Sequence, residues 1–550
     1  MDGGVKPMNR FFYDVAIAGS GGAALVAACA AADRGLSVTV LESTQFLGGT
    51  TALSGGQMWI PGSAAMRRAG LEDSVDEALQ YLRRLSLGTT SEAALHSFVV
   101  NGPRFIAYLE NELEMPIVSI DRPDYHPDWD GAAWGRSVEP LPVTTDELGE
   151  WRHRVRTSPT RGPITGPESR TGIPEPVLRE RTANDVRTQG SGLVAGLVKA
   201  ALRRGVDFQV QAAVRAVRRE GGHFVLDTAK GQISAGNVVL AAGGFARNAA
   251  LRSAFLPPVD IAPTAAPGSQ GDGLRLGTSL GGTLRSMCEA WWTAAVSIAG
   301  ESIDSAPLHR NVVRELAYPG SLLVNAAGKR FVNEASSYND LGKAFFTFDP
   351  TSHRFPNQPA WLIFDSAFRS RRTVAGVGPN ASLPDEFIQA EDLQTLAQQA
   401  GIDPNGLITT VTEMNRMAEA GTDQQFGRGH NPHDGFNGDE AHHPNPCLGP
   451  IDQGPFFAVP VVLGANGTKG GLVTDHISRV LDHDGVPIEG LFAVGENAAA
   501  LMGPGYAGSG ASLGPALTAA FTLAEHLGKG HSARDDNDSN NSKARQATRS

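Results

Sequence analysis

Residues 13–24 read Tyr13-Asp14-Val15-Ala16-Ile17-Ala18-Gly19-Ser20-Gly21-Gly22-Ala23-Ala24, and this stretch decides the fold. The first six residues are a β-rich run and the glycines turn the chain. Alanine-rich residues from Ala23 to Arg34 then propagate a helix, which Gly35 stops, and Ser37–Glu42 form a second strand. Gly19-x-Gly21-x-x-Ala24 fits the G-x-G-x-x-[G/A] fingerprint of a dinucleotide site. The first Gly permits the tight turn, the second lets a pyrophosphate approach the backbone, and the small third residue packs helix on strand. The helix N-terminus offers unpaired N–H groups to phosphate. Glu42 ends the second strand at the spacing of a carboxylate that accepts from ribose hydroxyls.

The fingerprint alone does not choose FAD over NAD; the continuation does. Gly48-Gly49-Thr50-Thr51-Ala52-Leu53-Ser54-Gly55-Gly56 is a second small-residue loop, able to pass close to a flat ring or a pyrophosphate. A similar strand and Gly-rich loop return late, at Gly490–Gly495, with a helix near Pro515–Leu527. Between them, Leu193–Arg204 carries a helical apolar stripe. Phe208–Val217 and His223–Thr228 alternate, and Asn237–Ala242 reads as a buried strand ending in Gly243-Gly244. Asp121–Arg187 holds nine prolines, ten arginines and three of the seven tryptophans, and reads as a long irregular insertion or lid. The tail after Gly528 reads as disordered.

Composition narrows the partners. A net charge of −11 disfavours nucleic acid, because phosphate binding wants a basic face. Three scattered cysteines (Cys29, Cys288, Cys447) indicate neither a disulfide framework nor a zinc module. His430, His433, His442, His443 and Cys447 crowd one segment without regular ligand spacing, so a polar loop is expected there and no metal. The opening residues show no charged-then-apolar leader, and no apolar stretch is long enough to span a bilayer. A cytoplasmic location is expected, with membrane-surface contact through the Trp/Arg-rich 121–187 as an added option.

These residues, together with Val239-Leu240-Ala241-Ala242-Gly243-Gly244-Phe245, resemble the fumarate reductase/succinate dehydrogenase flavoprotein superfamily. Within it the chain most resembles the 3-ketosteroid Δ1-dehydrogenases. The specific motifs are Ser54-Gly55-Gly56-Gln57-Met58-Trp59-Ile60-Pro61, Asn333-Glu334-x-x-x-Tyr338, Gly467-Thr468-Lys469-Gly470-Gly471 and Met502-Gly503-x-x-Tyr506-x-Gly508-x-Gly510-Ala511-x-x-Gly514-Pro515-Ala516. The resemblance implies an α/β fold, with a Rossmann-type FAD-binding domain built from both chain ends and an inserted α+β catalytic domain. The implied boundaries are 10–290 (121–187 being the insertion), 291–454 for the catalytic domain, 455–528 for the returning FAD part and 529–550 for the tail. It also implies noncovalent FAD held by Gly19, Ser20, Gly21, Gly22, Ala23, Ala24, Glu42, Ser43, Gly49, Thr50, Thr51, Ser54, Gly55, Gly56, Ala242, Gly243, Gly495, Glu496, Gly510, Ser512 and Leu513.

The implied reaction is 1,2-dehydrogenation of a 3-ketosteroid, a step of steroid degradation, with electrons leaving to a quinone or similar acceptor. Such chemistry needs a base for the proton α to the ketone, donors for the developing enolate oxygen, and a hydride acceptor. By resemblance Tyr338 is the base and Tyr125 assists it, while the Tyr506 hydroxyl and the Gly510 N–H polarise the carbonyl. An unperturbed tyrosine has a pKa of about 10, so a second phenol donating to Tyr338 is expected to help it. One departure is Ala507, where the family usually has Pro, a residue that would stiffen the turn. The alternatives are a fumarate reductase-like enzyme using arginines such as Arg310, Arg314 and Arg330, a Δ4-(5α) desaturase, and a flavin-binding protein without turnover.

Overall fold

The structure, a computed structural model, describes residues 11–528. The expected disordered tail at 529–550 lies outside the described residues, as does residue 10.

Two sheets organise the chain. The first runs Arg479–Leu481, Pro487–Ala493, Gly231–Leu240, Phe11–Ala18, Val38–Leu41, Asp207–Gln209 across its width. From Pro487–Ala493 onward the pairs are parallel. Parallel strands are covered on both faces, which explains the unbroken apolar run Val38–Leu41, buried throughout. Gly231–Leu240 also pairs antiparallel with His223–Thr228, and that strand with Val214–Glu220. The glycine turn leads into the helix Gly22–Ala32, whose small side chains are buried from Gly22 to Ala31. It therefore packs closely on the helix Gln189–Arg203, where the Cys29 thiol reaches the Leu197 carbonyl at 3.6 Å. A final helix covers 513–528.

The second sheet runs Ala306–Asn311, Ala290–Ile303, Phe456–Thr468, Ala360–Asp365, Ser321–Asn325. Its central strand, Phe456–Thr468, lies just past the boundary expected at 454/455. Phe456–Thr468 pairs with Ala290–Ile303 and Ala360–Asp365, and the chain re-enters the first sheet only at Arg479. Ile261–Pro263, placed by sequence in the first domain, also adds to this strand. An apolar strand buried on both faces has no pattern that says which sheet it joins.

Residues 121–187 are more ordered than an irregular lid. They contribute the strand Ser137–Pro140, a 3₁₀ segment Asp146–His153 and two helices, Glu168–Thr171 and Glu175–Ala183. Ser137–Pro140 pairs with Met58–Trp59 and Ile117–Ser119 in a small third sheet. Arg136 is wholly buried, bonded to Asp73 at 2.6 Å and to Asp124 at 2.8 Å. Trp129 stacks on His126 and Trp151 packs on Phe208, so two of the three tryptophans are engaged in packing. Among the described residues no helix is long and apolar enough to cross a membrane.

Candidate active site

The N-terminus of helix Gly22–Ala32 opens into a cavity of about 1530 Å³. A single small-molecule pocket spans roughly 300–1,000 Å³, so this volume suits a cofactor and a substrate together. Gly21 caps the helix with no side-chain acceptor. The Gly22 N–H reaches Thr51 Oγ1 at 3.0 Å, and Gly21, Gly22 and Ala23 of this helix start line the cavity, where a phosphate would meet the unpaired N–H groups of a first turn. Gly19 turns at φ +102°, and a Cβ there would stand 2.3 Å from the Ala241 carbonyl oxygen, so only glycine brings the two strand ends this close. Every residue expected in the cofactor cradle lines this cavity except Ala24. Ala24 is fully buried in the core, where its small side chain packs helix on strand. Glu42 is buried at the end of the second strand, with Oε2 accepting from Ser20 Oγ at 2.6 Å and Oε1 from the Thr44 N–H at 2.8 Å. Burial pushes the Glu496 carboxyl up to about 7, although the Gly244 N–H donates to it at 3.0 Å.

The same cavity is lined by Tyr125, Tyr338 and Tyr506. Their ring centroids lie 5.3 Å (Tyr338 and Tyr506), 5.5 Å (Tyr125 and Tyr338) and 5.5 Å (Tyr125 and Tyr506) apart. Three distant segments supply them. Tyr338 begins the helix Tyr338–Ala344, Tyr506 sits in the Gly-rich loop, and Tyr125 follows the buried Asp124 that ties Trp59 Nε1 (2.6 Å) to Arg136. The turn at Ala507 is held by bonds in place of proline stiffness. Its carbonyl accepts from the Tyr125 N–H and the Tyr81 hydroxyl, both at 2.9 Å. Gly510 stands at φ +88° against Gln57 and Met58, and its carbonyl accepts from the Trp59 N–H.

The Tyr125 hydroxyl is buried and makes no hydrogen bond among the described residues. Burial, reinforced by the Tyr125 and Tyr506 phenols, holds Tyr338 well above the ordinary tyrosine range. Burial likewise pushes Tyr506 up to about 12. A second phenolate beside the first is disfavoured in a water-poor site, whereas a neutral phenol that donates to it favours it.

Several residues at the site carried no role in the sequence reading. His433 is buried against Tyr125 with ring centroids 4.5 Å apart, and its Nδ1 has no hydrogen-bond partner among the described residues. It was hidden in a histidine-rich loop that looked merely polar. Trp291 packs on Tyr506 at 5.2 Å, and the Lys469 ammonium lies 4.7 Å from the Trp291 ring centroid. Arg161 lines the cavity and donates from Nη1 to Gln189 Oε1 at 2.8 Å. Of the arginines weighed for a dicarboxylate, Arg330 is buried on Glu334 and Asp423, and Arg310 is paired to Glu301 at 2.7 Å.

A glycine cradle at a helix N-terminus, continuous with an aromatic pocket of phenols, is the site of a flavoenzyme. The chain belongs to the family described as FAD binding domain, whose model matches residues 14–513. It is an FAD-dependent oxidoreductase acting on CH–CH groups, of the 3-oxosteroid dehydrogenase/fumarate reductase type. It is 38% identical to the 4-oxocyclohexanecarboxylate 2-dehydrogenase of Sinomonas cyclohexanicum, over 96% of this chain and 95% of that protein. It is 32% identical to a 3-oxosteroid 1-dehydrogenase of Mycolicibacterium smegmatis, over 93% and 96%. Among solved structures it is similar to a 3-ketosteroid Δ1-dehydrogenase from Sterolibacterium denitrificans in complex with 1,4-androstadiene-3,17-dione. That match has a TM-score of 0.87 and 33% identity, covering 94% of this chain and all of that one.

Proposed function

We propose that this enzyme introduces a double bond beside the carbonyl of a ring ketone, of the 3-ketosteroid or oxocyclohexane kind, with noncovalently held FAD. The observation that carries the reading is the convergence of Tyr125, Tyr338 and Tyr506 on one cavity with the glycine cradle. FAD, when bound, supplies the hydride acceptor. The chain's part is to hold the ketone and move a proton. The Tyr506 hydroxyl and the Gly510 N–H take the carbonyl oxygen, where negative charge develops. Tyr338 removes the α proton. Its raised affinity for a proton makes it a strong base once ionised, and Arg161, which lines the same cavity, supplies a positive charge that favours that ionised form. Tyr125 and Trp291 pack the two reacting phenols and keep water out. Electrons leave to an external acceptor of the quinone type.

A reductase acting on a dicarboxylate finds less support: of the three arginines weighed for it, Arg310 and Arg330 are already neutralised by carboxylates of the chain, and Arg314 alone of the three has no ion pair among the described residues.

The test is an anaerobic titration of the yellow enzyme with a 3-keto-4-ene steroid and, separately, 4-oxocyclohexanecarboxylate. Flavin bleaching by either, slowed about 10²–10⁴-fold in Tyr338→Phe, is the expected outcome. A flavin that both leave oxidised, but that in reduced form is reoxidised by fumarate, would move the enzyme to the reductase branch.

A further inference from the structure

Three guanidinium groups stand on the cavity wall beyond Tyr125, and desaturation of a neutral ketone uses none of them. The Arg122 guanidinium lies 5.0 Å from the Tyr125 ring centroid and 4.7 Å from that of Phe436. Arg170 lies over the same Phe436 ring at 3.9 Å. Arg314 donates from Nη1 to the carbonyl of Ser169, the residue before Arg170, at 3.3 Å. All three line the cavity that holds the tyrosines.

Carboxylates only partly balance them: Glu315, beside Arg314 on the same wall, interacts with its charge but accepts from the Val313 N–H and forms no ion pair among the described residues. Arg170 is ion-paired with Glu440 at the exposed rim, and nearby Arg372 is paired with Asp439. Arg122 and Arg314 have no such partner among the described residues. Arg122 Nε is buried without an acceptor, and its Nη2 reaches only Asn437 Oδ1, at 3.5 Å. Burial, with the repulsion of Arg122 and Arg170, draws Arg314 below its ordinary range. Adjacent cations withdrawn from water are costly unless an anion joins them. A guanidinium matches a carboxylate in charge and in planar, two-toothed geometry.

We propose that Arg122 and Arg314 hold the carboxylate of an acid-bearing ring ketone, and so set the substrate class of this site. This rests on the desaturation reading above. Arg122 lies 5.0 Å from the Tyr125 ring centroid, and Tyr125 packs on both Tyr338 and Tyr506, so an anion held at Arg122 stands one aromatic ring away from the reacting phenols.

The experiment uses a matched pair of probes on the FAD-loaded enzyme, titrated anaerobically while flavin absorbance is followed. The probes are 4-oxocyclohexanecarboxylate and its neutral methyl ester, with a neutral 3-keto-4-ene steroid as a third. The acid is expected to half-bleach the flavin at about 100-fold lower concentration than the ester, as charge-assisted hydrogen bonds to two arginines imply. In Arg122→Gln and, separately, Arg314→Gln, that advantage should shrink about tenfold or more with FAD content retained. An ester as effective as the acid, or a steroid that bleaches where the acid does not, overturns the carboxylate anchor and leaves desaturation standing. Loss of FAD from both variants would give the arginines to the cofactor and overturns it as well. No bleaching by any of the three overturns both readings.

Discussion

The Lys469 ammonium donates to the Gly505 carbonyl across 2.9 Å, one residue before Tyr506. A second bond runs to the Pro504 carbonyl at 2.8 Å, the Trp291 ring lies nearby, and the charges of Glu289, Lys343 and Asp340 act on the ammonium. Lys469 is wholly buried, and burial pulls its pKa down to about 7. Retaining a buried cation where an apolar side chain would fit is a cost, so its use is positional: it aims the loop that presents Tyr506.

Lys469→Met removes that aim while filling the space. A displacement of about 1 Å at a reacting group can cost on the order of 10²-fold in rate. Flavin bleaching by a ring ketone is therefore expected to slow about 10–100-fold, with FAD content unchanged. The melting temperature should move little, because lost hydrogen bonds and a relieved buried charge offset one another. A rate equal to that of the parent enzyme would remove Lys469 from the positioning of Tyr506.

Gly510 carries a steric prediction. At φ +88°, a Cβ would stand 2.4 Å from the Gln57 carbonyl carbon and oxygen, which are backbone atoms and cannot swing aside. Gly510→Ala therefore shifts the loop and withdraws the N–H offered to the ketone oxygen. The expected loss is that of one oxyanion donor, about 10²–10³-fold in bleaching rate. Stopped-flow absorbance reads it directly, and an unchanged rate would take Gly510 out of carbonyl polarisation.

The legible parts of this protein were those whose pattern is local. The fingerprint from Gly19 to Ala24 and the acid at Glu42 lie on neighbouring elements, so spacing alone joins them. The three tyrosines were found through motif resemblance, not periodicity, since they come from segments far apart in the chain. What escaped was nonlocal. Phe456–Thr468 belongs to the second sheet because of its partners, which no single strand announces. The arginines of 121–187 looked alike, yet Arg136 is a buried structural ion pair while Arg122 and Arg161 face the cavity. His433 looked polar and proved to be packed against Tyr125.

Glu139 predicts a pH-dependent stability. It is buried in Ser137–Pro140, accepts from the Gly166 N–H at 3.0 Å and from Gln57 Nε2 at 3.4 Å, and burial pushes it up to about 7. The folded state keeps a proton that the unfolded chain releases near the ordinary glutamate range, so wild-type stability falls as pH rises from about 4.5 to 7. Above that window the full cost, at most about 3 kcal/mol, is present. Glu139→Gln is expected to melt higher than wild type at pH 8, with the difference vanishing near pH 4.5. A pH-independent difference would place the cause in packing alone.

Arg161 makes the last prediction, on the base itself. Tyr338 is held protonated by burial and by its phenolic neighbours, so its phenolate needs a favourable charge nearby. The Arg161 charge acts on Tyr338, and Gln189 fixes the guanidinium through a 2.8 Å bond. Removing the cation in Arg161→Gln makes the phenolate harder to form, so the limb along which bleaching accelerates with pH moves to higher pH. At a fixed pH below that limb the variant is slower, and raising the pH restores part of the rate. The measurement is the bleaching rate against pH for both proteins, each saturated with FAD and ketone. Parallel profiles, lowered but unshifted, would mean that Arg161 shapes the wall without influencing Tyr338, and the base would then draw its help from the bound substrate.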